Sequence, residues 1–128
     1  MKLLNKKILV VDDDVDITSA LKVGLEQNGF TVTAYNDPKL AFLKFESGLY
    51  DLLLTDIRMP GMSGLELYEK IKQIDNRIRV CFVTAFGEYY GQLEKAFPTI
   101  DLHKCYIRKP ITISNLANKV NEILDLEC

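Results

Sequence analysis

The sequence predicts an α/β fold in which helices cover a parallel β-sheet. Short apolar runs rich in β-branched residues alternate with helical patterns five times along the chain, which is typical of βα units. The 128 residues are enough for one domain with its own apolar core. With 48% hydrophobic and 27% charged residues, the composition is that of an ordinary globular protein. We therefore expect a single domain over residues 1–128.

The first βα unit begins with a strand predicted at Lys7–Val11. Apolar residues then recur at helical spacing, which predicts a helix on the basis of Ile17, Ala20, Leu21, Gly24 and Leu25. That pattern stops at Asn28-Gly29, a pair that favours the C-terminal cap of a helix. The next apolar run, Thr31–Tyr35, is predicted to be the second strand.

The second helix is predicted from its start signal. Asp37 followed by Pro38 favours an N-cap with proline at the first helical position, and a helix is expected from there to about Ser47-Gly48. The third strand is predicted at Asp51–Thr55, where three leucines follow one another without alternation. Such a run indicates burial on both faces, so this strand should be central.

The remaining elements follow the same alternation. Ser63 and Glu66 match a capping box, which predicts a third helix to about Gln73, and the fourth strand is predicted at Val80–Thr84. Tyr89, Leu93, Ala96 and Phe97 then stand at helical spacing before Pro98, which would end that helix. The last strand is predicted at Lys104–Arg108. Thr112 should cap a final helix whose apolar face carries Leu116, Val120, Ile123 and Leu124.

Polar side chains follow four of the predicted strands. In an open parallel sheet the ligand site lies outside the carboxyl ends of the strands. The side chains expected there are Asp12, Asp13 and Asp14 after the first strand, Asp56 after the third, Thr84 at the end of the fourth and Lys109 after the fifth. Taken singly, each has an ordinary structural interpretation as a turn, cap or surface residue. Together they bring carboxylates, a hydroxyl and an ammonium group to one edge.

This combination predicts a specific chemistry. Clustered carboxylates raise one another's pKa unless a cation neutralises them, and an all-oxygen ligand set favours a hard divalent ion such as Mg²⁺. A bound metal would let an aspartate attack phosphorus and form an acyl phosphate. The hydroxyl of Thr84 and the ammonium group of Lys109 would then contact the other phosphoryl oxygens.

Four segments stand at the ends of the predicted strands: ILVVDDD at 8–14, LTDIRMPGMSG at 54–64, VTA at 83–85 and YIRKP at 106–110. In this order they closely resemble the receiver domain of two-component response regulators, and the resemblance runs from about Lys7 to Leu124. It implies a flavodoxin-like, doubly wound (βα)5 fold with a five-stranded parallel sheet in strand order 2-1-3-4-5. It also implies a stand-alone receiver similar to the single-domain chemotaxis regulators.

The resemblance implies roles for the acidic residues. Asp56 would be the phosphoacceptor of a phosphorelay and would carry an aspartyl phosphate. Mg²⁺ would be held by Asp12, Asp13 and Asp56 together with the main-chain carbonyl of Arg58, with Asp13 bound directly and Asp12 largely through water.

Three further roles follow from the same resemblance. Thr84 would supply the switch hydroxyl, Lys109 the ammonium group that binds the phosphoryl group, and Tyr106 the switch aromatic ring. The bond between Lys109 and Pro110 is expected to be cis. The segment 86–103 departs from the family pattern, because FGEYYG at 86–91 and FPTIDLH at 97–103 replace an alanine-rich helix followed by Gly-Ala. The geometry of that segment is left open.

Two other classes of function compete with a signalling receiver. A phosphatase on a similar fold would carry a second aspartate two residues after the nucleophile, and that position is Arg58. A pseudo-receiver would be expected to lack one or more of Asp13, Asp56 and Lys109, and all three are present. We therefore expect a phosphoacceptor with self-assisted phosphotransfer rather than a dedicated enzyme. Its donor would be a histidine kinase or phosphotransfer protein, and its output would be an unknown downstream protein, with a homodimer on phosphorylation as one outcome.

Net charge, hydropathy and cysteine spacing limit the kinds of partner and the cellular compartment that we expect for this protein. The net charge of −2 gives no basic footprint for a nucleic acid. No apolar stretch approaches the roughly 20 residues that cross a bilayer, and the apolar run from Ile8 to Val11 ends at Asp12, so we expect neither a membrane span nor a signal peptide. Cys81, Cys105 and Cys128 are widely spaced, so we expect reduced thiols, with the first two buried, in a cytoplasmic protein.

Overall fold

A computed structural model describes residues 6–84, 95, 105–110 and 112–125. Its five strands form one parallel sheet in the order β2-β1-β3-β4-β5, as predicted. The strands are β1 (Lys7–Val11), β2 (Thr31–Tyr35), β3 (Leu52–Asp56), β4 (Arg79–Thr84) and β5 (Tyr106–Arg108). The helices are α1 (Val15–Gln27), α2 (Pro38–Leu43), α3 (Gly64–Ile74) and α4 (Ile113–Asp125).

The predicted helix starts are confirmed by their caps. The side chain of Asp37 accepts a hydrogen bond from the main chain of Lys39, with Pro38 at the first position of α2. The hydroxyl oxygen of Ser63 accepts from the main chain of Glu66 at 3.1 Å. The hydroxyl oxygen of Thr112 likewise accepts a hydrogen bond from the main chain of Asn115, the third residue of α4, at 3.2 Å. Each side chain satisfies an amide that the first turn leaves without a partner.

The prediction that α2 reaches Ser47-Gly48 is wrong, because the helix ends at Leu43. After it, Phe45 and Leu49 turn inward and pack against the core with Tyr50. Gly48 has a φ of +80°, a left-handed conformation that a helix does not contain. Burial of these apolar side chains therefore competes with continuation of the helix.

The sheet separates two apolar cores, one on each face. One core lies under α2 and α3 and includes Leu53, whereas the other lies under α1 and α4 and includes Leu52 and Leu54. All three leucines are at most 1% exposed, which confirms that β3 is a central strand buried on both faces. A strand buried in this way holds its carboxyl end in a fixed position.

The divergent segment 86–103 lies outside the described residues, apart from Lys95, and so does the helix predicted from Tyr89 to Phe97. His103 and Cys128 are outside them as well. Within the described part of the chain, no helix is both long enough and apolar enough to span a membrane.

The two described cysteines are buried, as expected, but only one is a thiol. Cys81 is free and fully buried, and burial raises its pKa to about 12. Cys105 is disulfide-bonded, so the expectation of a reduced thiol there is wrong. Sequence spacing did not indicate this bond, because a disulfide depends on the distance between two sulfur atoms in the folded chain.

Candidate functional site

The carboxyl edge of the sheet gathers the predicted carboxylates. Parallel register pairs Val11 with Thr55, so the residues that follow β1 and those that end β3 meet at the same edge. Asp12, Asp13 and Asp56 each offer one carboxylate oxygen, and these oxygens all lie within 4.8 Å of one another. The acidic cluster expected from the sequence is therefore formed in the structure.

One lysine bridges two of these aspartates. The Nζ of Lys109 lies 2.9 Å from Oδ2 of Asp12 and 3.3 Å from Oδ2 of Asp56. The Asp12 side chain is only 4% exposed, whereas Asp13 is exposed. The other oxygens of the bridged pair accept main-chain hydrogen bonds, from Asp14 at 3.0 Å and from Ile57 at 2.8 Å.

Burial and neighbouring charges shift the pKa values of Asp56 and Lys109 at this edge. Burial raises the pKa of Asp56, the nearby Asp12 raises it further, and Lys109 only partly opposes the shift. Burial alone would lower the pKa of Lys109, but its hydrogen bond to Asp12 and the charges of Asp12 and Asp56 outweigh that cost, so its pKa is raised. The lysine stays charged, and the carboxylates of Asp12 and Asp56 share it.

A divalent cation fits this set of donors. The atoms that converge are carboxylate oxygens, which are the ligands that hard ions such as Mg²⁺ prefer. Lys109 already shows that the cluster attracts positive charge. When bound, the ion would neutralise the cluster and polarise a phosphoryl group beside Asp56.

The third consecutive aspartate has a different task. Oδ1 of Asp14 accepts hydrogen bonds from the main chain of Asp16 at 2.9 Å and of Ile17 at 3.3 Å, so Asp14 is the N-cap of α1. Its carboxylate satisfies main-chain amides in the first turn of α1. The structure thus separates Asp14 from the acidic pair that precedes it.

The loop from β3 to α3 holds Asp56 from the other side. A Cβ atom at Gly64 would collide with the main-chain oxygen of Asp56, so only glycine allows α3 to begin this close to β3. The amide of Gly64 donates to the carbonyl of Ile57 at 2.7 Å. Met59 and Met62 are buried in the core and anchor the loop, while the side chain of Arg58 is exposed two residues after Asp56.

The remaining predicted residues lie on β4 and β5. Thr84 is the last residue of β4 and pairs with Arg108, but its side chain is outside the described part of the structure. Tyr106 is partly buried opposite Phe82 and packs against the core under α3. The bond between Lys109 and Pro110 is cis, as expected.

Sequence reasoning missed one residue at this edge, Asn36. It directly follows β2, the strand after which the sequence predicted no site residue. Its amide nitrogen donates to the main-chain oxygen of Asp12 at 2.9 Å and to the hydroxyl of Thr18 at 2.8 Å. The sequence signal for Asn36 is its position, since it is a polar residue directly after a strand of the parallel sheet.

Comparison with known proteins identifies the family. The family model for the response regulator receiver domain matches residues 8–121. Response regulator receiver protein CpdR of Brucella abortus is 30% identical over 119 residues, which cover 93% of this chain and 97% of that protein. Sporulation initiation phosphotransferase F of Bacillus subtilis is 30% identical over 126 residues, 98% of each protein. Among other relatives are longer transcriptional regulators, of which the chain spans 49%.

Solved structures agree with this result. Response regulator TrrA of Thermotoga maritima, in complex with Mg(2+)-BeF, superposes with a TM-score of 0.79 at 34% identity, covering 92% of this chain and 98% of that one. The sheet order, the acidic cluster and the family match point the same way. The chain therefore belongs to the response regulator receiver domain family, whose members are phosphoacceptors in two-component signalling.

Proposed function

We propose that Asp56 is the residue that receives the phosphoryl group, with Mg²⁺ held by Asp12, Asp13 and Asp56 and by the main-chain carbonyl of Arg58. The observation that carries this proposal is the position of Asp56, at the end of the central strand and within 4.8 Å of two other carboxylates. Its Oδ2 also faces the ammonium group of Lys109 at 3.3 Å. The Mg(2+)-BeF complex of the related TrrA supports the same type of site.

The chemistry follows from these contacts. A carboxylate oxygen of Asp56 forms a bond to phosphorus while the bond from phosphorus to the donor's leaving group breaks. Burial, the largest cause of the raised pKa of Asp56, leaves its carboxylate poorly solvated, which makes it a better nucleophile once ionised. Lys109 then moves its hydrogen bonds to a phosphoryl oxygen, and Thr84 supplies a hydroxyl to another.

The donor is a histidine kinase or a phosphotransfer protein, and the output is binding of a downstream protein. The face that includes β5 and α4 carries that output, with Thr84 and Tyr106 as the switch pair. Tyr106 on β5 pairs in register with Phe82 on β4, and Thr84 ends β4, so a change at Thr84 can reach Tyr106 through that one strand. The chain acts as a single receiver domain over residues 1–128, in the cytoplasm, without nucleic acid or membrane as a partner, and not as a dedicated enzyme. Homodimerisation on phosphorylation is a further outcome to test.

The direct test uses a small phosphodonor. The protein is incubated with phosphoramidate and Mg²⁺, and intact-mass spectrometry should show one added phosphoryl group. Asp56→Asn should show none. Asp51→Asn is the matched control, because Asp51 flanks the same strand at its other end, where its Oδ2 accepts from the main chain of Lys7 at 2.8 Å. Equal phosphate uptake by the Asp56→Asn and unaltered proteins would overturn the assignment.

A further inference from the structure

Asn36 and Thr18 contact the acidic loop without belonging to the cluster of carboxylates. Asn36 follows β2, and its Nδ2 donates to the main-chain oxygen of Asp12 at 2.9 Å. The same nitrogen donates to Oγ1 of Thr18 at 2.8 Å, and that hydroxyl in turn donates to the main-chain oxygen of Val15 at 3.1 Å. Thr18 is buried, at 3% exposure. One amide group thus links the end of β2, the loop after β1 and the first turn of α1.

The oxygen that Asn36 contacts belongs to a particular peptide group. It is the carbonyl of Asp12, and the peptide that contains it joins Asp12 to Asp13. The preceding peptide is held as well, because the main-chain nitrogen of Asp12 donates to the main-chain oxygen of Tyr35 at 3.2 Å. Two successive residues at the end of β2 therefore hold the main chain on both sides of the Asp12 side chain.

We propose that Asn36 is a positioning residue for the metal: it fixes the plane of the peptide that joins Asp12 to Asp13 and so presents both carboxylates in the geometry that Mg²⁺ requires. This inference rests on the proposed function. Mg²⁺ demands near-ideal octahedral geometry, so the relative orientation of its carboxylates matters more than their mere presence. The two carboxylates also repel each other when no cation is bound, and a hydrogen bond to the intervening peptide opposes their separation.

The expected effect follows from the behaviour of groups that orient metal ligands. Loss of such a partner typically weakens metal binding by about 10- to 100-fold, and we expect Asn36→Ala to lie near the lower end, about tenfold, because the hydrogen bond from Asp12 to Tyr35 remains. Thr18→Val keeps the shape of the side chain but removes the hydroxyl that accepts the hydrogen bond from Nδ2 of Asn36. We expect it to weaken Mg²⁺ binding less than Asn36→Ala does, since Asn36 keeps its contact with Asp12.

The control is a second asparagine that bonds to α1. Nδ2 of Asn28 donates to the main-chain oxygen of Gly24 at 2.8 Å, at the opposite end of the same helix. Asn28→Ala removes the same type of hydrogen bond and leaves the acidic loop untouched. Mg²⁺ affinity should be unchanged in this variant, whatever its effect on stability.

Two measurements test the proposal. Titration with Mg²⁺, followed by amide chemical shifts, gives the dissociation constant, and hydrogen exchange of the amides of residues 12–14 in metal-free protein reports how firmly the loop is held. Asn36→Ala should weaken binding and speed exchange, and Asn28→Ala should do neither. Phosphorylation of Asn36→Ala should need more Mg²⁺ but should approach the unaltered rate at saturation, a separation that general destabilisation would not produce.

The outcomes separate this inference from the function on which it rests. An unchanged dissociation constant and unchanged exchange in Asn36→Ala would overturn the role of Asn36, and so would equal weakening by Asn36→Ala and Asn28→Ala. If the unaltered protein bound no Mg²⁺, the proposed function would fail. Hydrogen exchange would still decide whether Asn36 holds the loop, because that measurement needs no metal.

Discussion

Aspartates occupy both ends of the sheet, and the two ends treat them differently. At the amino end, Asp75 is 8% exposed and its two carboxylate oxygens accept main-chain hydrogen bonds at 2.8 and 3.0 Å, from Gly48 and Arg77. At the carboxyl end, one carboxylate oxygen of Asp12 and one of Asp56 accept a hydrogen bond from a main-chain amide. The other oxygen of each accepts a hydrogen bond from Lys109.

The difference distinguishes an aspartate that is bound by the main chain alone from aspartates that are also bound by a lysine side chain. Main-chain amides are fixed in place, so the carboxylate of Asp75, with both oxygens hydrogen-bonded to the main chain, joins the loop before β3 to the loop before β4. A lysine side chain is flexible and can move from a carboxylate to a phosphoryl oxygen. We therefore expect the carboxylates that share Lys109, unlike that of Asp75, to bind the metal and to react, as proposed above.

The largest expected effect comes from removing the shared cation. Lys109→Ala should slow phosphorylation by phosphoramidate by about 10²- to 10³-fold, the usual cost of losing one group that stabilises charge in a transition state. Lys72→Ala is the matched control, since Lys72 is also partly buried but donates to a main-chain oxygen, that of Ile78, at the amino end. Quenched-flow or stopped-flow rates measure both. Similar slowing in the two variants would remove the distinction between the ends.

A substitution at the amino end, Asp75→Ala, should lower stability and leave the phosphorylation rate unchanged. Asp75→Ala leaves two main-chain amides without their acceptor, and we expect it to lower the free energy of unfolding by about 2 kcal/mol. The phosphorylation rate at 25 °C should stay unchanged. Urea denaturation and the phosphoramidate assay measure the two quantities on the same sample. A stable but unreactive Asp75→Ala protein would contradict the structural role assigned to this residue.

Asp13 sharpens the comparison, because it is exposed and belongs to the acidic cluster. Asp13→Ala should weaken Mg²⁺ binding by about tenfold or more, as expected for loss of a direct ligand or of a group that orients one. It should not lower stability in metal-free buffer, since it removes repulsion from Asp12 and Asp56. Calorimetric Mg²⁺ titration and thermal unfolding check the two parts. Unchanged Mg²⁺ affinity would take Asp13 out of the metal site.

The smallest expected effect is a gain in the stability of the Asp56→Asn protein, and this gain should depend on pH. Burial raises the pKa of Asp56 in the folded state above its ordinary value of 3.8, so its ionisation on folding is unfavourable. The contribution of this group to stability is therefore fully present below the unfolded pKa and is lost as the pH rises through the raised folded pKa. Without Mg²⁺, Asp56→Asn should unfold at a higher temperature than the unaltered protein at pH 7, and the difference should shrink below pH 4. A gain that did not depend on pH would point to a cause other than charge.

Much of the fold and part of the site could be predicted because their signals are local. Caps at Asp37 and Ser63 predicted two helix starts, and the unbroken leucines of β3 predicted a central strand. The acidic cluster could be predicted because strand ends of a parallel sheet share one edge. The end of α2 could not, since it depends on Phe45 and Leu49 packing against residues far along the chain.

The sequence by itself thus determined the elements, their alternation and the residue types at the carboxyl edge. Tertiary structure decided which atoms meet there. Lys109 reaches Asp12 and Asp56 across 97 and 53 residues, and Asn36 reaches Asp12 across 24. Such contacts depend on strand order and register, which bring distant segments together within a hydrogen-bond length. No local pattern encodes them, so only the folded chain separates Asp14, which caps a helix, from Asp12 and Asp13, whose carboxylates lie in the acidic cluster with Asp56.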